Sequence, residues 1–228
     1  MPSSRASSAV RSTPERAGVP STLEPQRPRV WVVDDDAAIR SALERLLRAT
    51  ALAVETFASG PELLDRLERA RPQCLILDLR LPGFDGLELV DRIHALGQPT
   101  PVVFVSGRGD VRRSVEAMKR GAIDFLEKPV DADALLSAVM RGLARDAEWR
   151  QMRERTEEAI RRISTLTPRE REVLLHVALG KANKRIADEL GTAEKTIKVH
   201  RGKVMHKLRA SSVVDLVHLT QQAAGIVD

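Results

Sequence analysis

The sequence predicts two domains: a doubly wound α/β domain built on a five-stranded parallel sheet, then an all-α four-helix domain reached through a helical linker. Three observations carry this. Short apolar runs alternate with amphipathic stretches between residues 29 and 140. Strand signals vanish after Ser164. The formal charge also changes sign, from −3 over residues 29–140 to +6 over residues 141–228, within a chain of 228 residues and net charge +5. An acidic middle followed by a basic end divides the labour, and the basic end is the candidate partner for a polyanion.

Composition narrows the class. The hydrophobic share of 43% and charged share of 30% are those of a soluble globular protein. No run approaches the roughly 18 apolar residues of a membrane span, and the first 28 residues contain no apolar core of a secretory signal. Cys74 is the single cysteine, which excludes an internal disulfide framework and a Cys-rich zinc site. A cytoplasmic protein with no membrane partner is expected.

Residues 1–28, rich in Ser, Pro, Ala and Arg without periodicity, read as a disordered tail. The α/β domain then occupies 29–140. Its strands are VWVV (30–33), LAVETF (52–57), CLIL (74–77), VVFV (102–105) and the weaker AIDFL (122–126). Helical spacing fills the gaps, as in Ile39, Leu43, Leu46 and Leu47. Ser59 with Glu62 and Asp85 with Glu88 read as capping-box helix starts.

The last helix of this domain begins near Asp131 and continues to about Arg162, making 141–163 a helical linker. Trp149, Met152, Thr156, Ala159 and Ile163 recur at three- and four-residue steps, which fits either a short heptad seam or a solvated helix. Thr167-Pro168-Arg169-Glu170 is a capping box with Pro at the first helical position. It opens the domain 164–228, with helices near 168–179, 183–190, 193–208 and 212–224.

The informative polar residues fall at strand ends, where open α/β sheets bind ligands. VWVV runs into Asp34-Asp35-Asp36, CLIL into Asp78, VVFV into Ser106, and the fifth strand into Lys128-Pro129. Clustered carboxylates repel one another unless a hard cation neutralises them, and Mg²⁺ takes one or two carboxylates plus phosphate oxygens. A carboxylate can attack a phosphoryl group, while an ammonium and a hydroxyl hold the phosphoryl oxygens. Singly, each residue reads as a cap or a loop; their coincidence on one rim does not.

VVDDD, ILDLRLPGFDGLEL, VVFVSGRGDV and DFLEKP resemble the motifs of response-regulator receiver domains, whose sheet is flavodoxin-like, over about residues 29–145. The resemblance implies that Asp34 and Asp35 form the acidic pair and that Asp78 is the phosphoacceptor. It also implies a Mg²⁺ site made by Asp34, Asp35, Asp78 and the Arg80 carbonyl. Ser106 and Lys128 would hold the phosphoryl group, Lys128 preceding a cis peptide to Pro129. Asp36 is expected to cap the first helix. Phe125 takes the place of the aromatic switch residue, turning inward as Ser106 swings to the phosphoryl group. That exchange would reshape a face carrying Val111, Val115, Met118 and Lys119, a candidate dimer surface.

NKRIADELGTAEKTIKVHRGKVMHKL has the anatomy of two helices joined by a tight turn. Ile186, Ala187 and Leu190 form the apolar stripe of the first helix; Gly191 ends it and Thr192 is expected to cap the second. Ile197, Val204 and Leu208 form the core face of the second helix. Its other face carries Lys195, Lys198, Val199, Gly202 and His206, flanked by Arg201 and Lys203. A short basic helix face suits the major groove.

Residues 164–226, with LTPREREVL and the terminal SVVDLVHL helix, resemble the LuxR-type DNA-binding domain of the NarL/FixJ regulators, nearest the FixJ branch. The resemblance implies that Lys198 and Val199 read bases and that Arg201, Lys203 and Lys207 contact phosphate. It further implies dimerisation through Val213, Leu216, Val217 and Ala224. The implied partners are a sensor histidine kinase, promoter DNA, a second copy of the chain when phosphorylated, and RNA polymerase.

Two other functions draw on parts of the same residue set. A haloacid-dehalogenase-type phosphatase also uses Asp and Mg²⁺, but its nucleophile follows the first strand, and the Asp78 and Lys128 positions fit a receiver better. A DNA-binding protein using the α/β domain only as a dimerisation scaffold keeps the same fold without the phosphorylation. No enzyme is expected.

Overall fold

The computed structural model describes residues 27–97, 99–107 and 110–225. The expected tail therefore lies almost wholly outside the described residues.

The α/β domain runs β1 (Arg29–Val33), α1 (Ala37–Arg48), β2 (Ala53–Phe57), α2 (Gly60–Leu67), β3 (Cys74–Asp78), β4 (Arg80–Leu81), β5 (Phe84–Asp85), α3 (Gly86–Ala95), β6 (Val102–Ser106), α4 (Val111–Lys119) and β7 (Asp124–Glu127). The main sheet is parallel with strand order β2-β1-β3-β6-β7. The order reverses between β1 and β3, the switch point at which such sheets take ligands.

Alternation along the strands sorts the core. Trp31, Val33, Leu75, Leu77, Val102 and Phe104 point to one face, where α2 and α3 supply Leu63, Leu87, Val90 and Ile93. Val30, Val32, Cys74, Ile76, Val103 and Val105 point to the other, against Leu43 and Leu47 of α1 and Leu135, Ala138 and Val139. Burial on both faces explains why the strands read as continuous apolar runs.

Helix starts only partly follow expectation. Asp36 caps α1, accepting from Ala38 N and Ile39 N at 2.8 and 3.2 Å. Ser59 accepts from Glu62 N, but the Glu62 carboxylate returns to Ala58 N, one residue short of a closed box. Asp85 caps α3 through Leu87 N rather than through Glu88. The β4–β5 hairpin was not anticipated: Pro82-Gly83 turns it with Gly83 at φ 75°, and two-residue strands carry no periodicity. The Lys128–Pro129 peptide is cis, as expected.

A single helix, α5 (Ala132–Ser164), leaves this domain and enters the next. Its first half packs on β3, β6 and β7, its end on α8 and α9. Gly142 lies so close to β3 that a Cβ there would stand 2.6 Å from Cys74 Sγ. One turn on, Asp146 is fully buried, paired with Arg71 at 2.7 Å and Arg150 at 2.8 Å. Of the residues at heptad spacing, Met152 is exposed and Ala159 buried, and Ile163 packs against the core of the chain's own helical domain.

That domain comprises α6 (Pro168–Ala178), α7 (Asn183–Glu189), α8 (Glu194–Leu208) and α9 (Val213–Ala223) around Val173, Leu174, Val177, Ile186, Ile197, Val204, Leu208 and Leu216. The Thr167–Glu170 capping box is closed in both directions. Gly180 and Gly191, at φ 74° and 60°, end α6 and α7. Thr192 does not cap α8: the N-cap is Ala193, with no side-chain bond, so α8 starts one residue later than expected.

Candidate functional site

The rim at the β1/β3 switch point gathers Asp34, Asp35 and Asp78, whose carboxylate oxygens lie within 4.8 Å of one another. Backbone amides aim two of them: Asp36 N donates to Asp34 Oδ1 at 2.9 Å and Arg80 N to Asp78 Oδ1 at 2.9 Å. Lys128 enters from the end of β7, its Nζ 2.5 Å from Asp78 Oδ2 and 2.7 Å from Asp34 Oδ2. Lys128 thus bridges the two buried carboxylates. Burial pushes the Asp34 carboxyl above its ordinary range despite Lys128. Burial alone would lower Lys128, but its bonds to Asp34 and Asp78 hold the ammonium above its usual range.

Among the described residues, three carboxylates meet at the Lys128 end of the sheet, Asp34 and Asp78 buried and Asp35 exposed. A cluster of carboxylate oxygen donors fits a hard divalent cation such as Mg²⁺.

The remaining residues close the rim. Ser106, fully buried at the end of β6, donates from Oγ to Asp110 Oδ2 at 2.5 Å, and Lys128 N donates to Ser106 O at 2.8 Å. The Arg80 guanidinium donates to Asp110 Oδ1 at 2.5 Å. Hydrogen bonds from Arg80 and then Ser106 hold the Asp110 carboxyl below its usual range. Asp110 was not singled out in the sequence. Phe125 is half-buried and borders a shallow apolar hollow with Val111, Val115, Met118 and Lys119; those first three are exposed.

On α8, Ile197, Val204 and Leu208 are buried as expected. Lys195, Lys198, Val199, Gly202, Lys203 and His206 are exposed on the side away from the core. Two of the sequence-selected basic residues are already engaged. Arg201 donates to Asn183 Oδ1 at 3.0 Å, and Lys207 Nζ lies 2.6 Å from Glu170 Oε2. Leu216 is fully buried in the domain's own core, so it cannot serve as the dimer contact expected of it.

Family profiles divide the chain in the same way. Residues 30–140 match the response regulator receiver domain, and residues 164–220 match the luxR family of bacterial regulatory proteins. Transcriptional regulatory protein FixJ of Azorhizobium caulinodans is 42% identical over 86% of this chain and 92% of its own length. Nodulation protein W of Bradyrhizobium diazoefficiens is 41% identical over 84% of this chain and 85% of its own.

The chain belongs to the response regulators with a luxR-type DNA-binding domain.

Among solved structures, the response regulator StyR superposes with a TM-score of 0.74 at 45% identity, covering 86% of this chain and 99% of that one. Full-length FixJ from B. japonicum gives 0.54 at 37%, covering 88% and 98%. The chain is thus a transcription regulator of the FixJ type rather than an enzyme, and receivers bind Mg²⁺ at an acidic recess of this kind. Among the described residues, no helix is long and apolar enough to cross a membrane.

Proposed function

We propose that Asp78 accepts a phosphoryl group from a sensor histidine kinase and that this gates promoter binding by α8. The observation that carries the reading is the convergence on Asp78 of Lys128 Nζ and Arg80 N, with Asp34 and Asp35 beside it. An Asp78 oxygen forms the P–O bond as the P–N bond of a phosphohistidine breaks; the electron pair stays on the imidazole nitrogen, which takes up a proton. Lys128 faces the charge that develops on the phosphoryl oxygens, and Ser106 supplies a hydroxyl donor. Asp34, Asp35, Asp78 and the Arg80 carbonyl would hold Mg²⁺, which supplies charge neutralisation.

Two features bear on the output. The α8 face is exposed, and gating is read as acting through dimerisation, which brings two such faces together on the duplex. The exposed Val111, Val115 and Met118 beside Phe125 are the surface through which two phosphorylated receivers pair. Paired α8 helices then read two half-sites, Lys198 and Val199 at base edges and Lys195, Arg201, Gly202, Lys203 and His206 close to the backbone. RNA polymerase is the partner recruited at the promoter. The domains fall at 29–140, 141–163 and 164–228, with α5 as the connecting strut.

Incubation with acetyl phosphate and Mg²⁺, followed by intact mass spectrometry, tests the assignment. The wild type gains one phosphoryl mass and Asp78→Asn none; a labelled Asp78→Asn chain would contradict it.

A further inference from the structure

Asp110 is the pocket residue that the phosphoryl chemistry leaves unused, and it begins α4 unlike the other aspartates that begin helices. Asp36, Asp85 and Asp131 precede α1, α3 and α5 with ψ of 112°, 124° and 132°, and each accepts a hydrogen bond from its helix's first turn. Asp110 has φ −88° and ψ 35°, and its side chain caps nothing. Its carboxylate turns into the pocket instead, where one oxygen takes the Arg80 guanidinium and the other the Ser106 hydroxyl. The α4 N-terminus is therefore left uncapped, while two donors facing the phosphoryl site are already occupied by an anion.

We propose that Asp110 is a positioning residue that stands in for the phosphoryl group in the resting chain. It holds Ser106 Oγ and Arg80 until phosphorylation of Asp78 displaces it, and it then caps α4. This rests on the assignment of Asp78 as phosphoacceptor.

The exchange follows from valence and charge. A serine hydroxyl has one proton and serves one acceptor at a time. Ser106 ends β6, whose Val105 is the register partner of Asp78, so a phosphoryl group on Asp78 arrives beside the same hydroxyl. The incoming dianion outcompetes a single carboxylate for the proton and repels that carboxylate. Once released, Asp110 already sits at a helix N-terminus, where free N–H groups and the helix dipole favour an anion.

Capping requires ψ at residue 110 to move from 35° towards the extended values seen at Asp36, Asp85 and Asp131. That shifts the first turn of α4 and with it Val111 and Val115. The helix is poised to respond, because Ala117 is its only buried residue and the Arg113–Asp85 and Arg120–Asp91 ion pairs tether it at its surface.

The test is calorimetric titration of the full chain with beryllofluoride in Mg²⁺, for the wild type, Asp110→Asn, Asp110→Ala, Ser106→Ala and the Asp110→Ala/Ser106→Ala pair. Thermal melts serve as the fold control. Removing the competing carboxylate should tighten binding about three- to tenfold in both Asp110 variants. The gain should vanish in the Ser106→Ala background, which a merely structural role would not produce. Unchanged or weaker binding by folded Asp110 variants, or an equal gain without Ser106, would overturn the proposal while leaving the pocket assignment intact. A wild type that binds no beryllofluoride would overturn both.

Discussion

Lys207 Nζ lies 2.6 Å from Glu170 Oε2, tying the last turn of α8 to the first turn of α6. Glu170 is 3% exposed and also accepts from Thr167 N at 2.9 Å. Lys207 first, and then the Thr167 amide, hold its carboxyl at about 2, below an ordinary value of 4.5. The pair fastens α8 to α6.

Because the folded-state value is depressed, the stabilisation from Glu170 is complete above pH 4.5 and is lost as pH falls through about 2. Glu170→Gln should lower the melting temperature of the helical domain at neutral pH. It should also remove the part of the acid loss that falls within that window. Circular-dichroism melts between pH 2 and 7 measure this; superimposable profiles for the two chains would contradict it.

The contact between Gly142 and Cys74 makes α5 part of the receiver beyond residue 140. Gly142→Ala puts a Cβ 2.6 Å from a buried sulfur and should cost about 1–3 kcal/mol in urea unfolding. Asp146→Ala leaves the half-buried Arg71 guanidinium without its buried carboxylate and should cost roughly 3 kcal/mol. Losses below about 0.5 kcal/mol at both positions would mean that the receiver does not depend on this stretch of α5.

The exposed and engaged lysines of α8 should separate in DNA binding. Lys198→Ala should cost about 1–3 kcal/mol at the selected site and relax base preference there. Lys203→Ala should weaken binding to all sequences and reduce the salt slope by about one. Lys207→Ala should lower the melting temperature and leave the salt slope nearly unchanged, since its ammonium is held by Glu170. Competition binding at two salt concentrations distinguishes these outcomes.

The strands and the pocket were legible in the sequence for a physical reason. The central strands β1, β3 and β6 are covered on both faces and carry unbroken apolar runs, so the polar residue that ends each run marks the rim: Asp34, Asp78 and Ser106. Lys128 is marked instead by its place just after the weaker edge strand. Other features left no such mark. The β4–β5 hairpin is too short for periodicity. Asp146 sits in a charge-dense stretch whose i,i+4 pattern is that of a solvated helix, yet it is fully buried through Arg71, which lies 75 residues away. Lys207 and Lys203 look alike in sequence; only packing against α6 separates the one engaged by Glu170 from the one left in solvent. Asp110 precedes α4 as a cap would, and its turn towards Ser106 rests on a backbone conformation, φ −88° and ψ 35°, that residue type does not announce.

If Asp78 is the switch, its state sets the affinity of α8 for DNA. The direct measurement is affinity for a selected duplex at fixed salt, with and without Mg²⁺ and acetyl phosphate, for the wild type and Asp78→Asn. The account predicts that the wild type tightens about tenfold or more, roughly 1.4 kcal/mol of coupling, and that the mutant does not change. Equal binding by both chains under all conditions would contradict it and reduce the receiver to a scaffold.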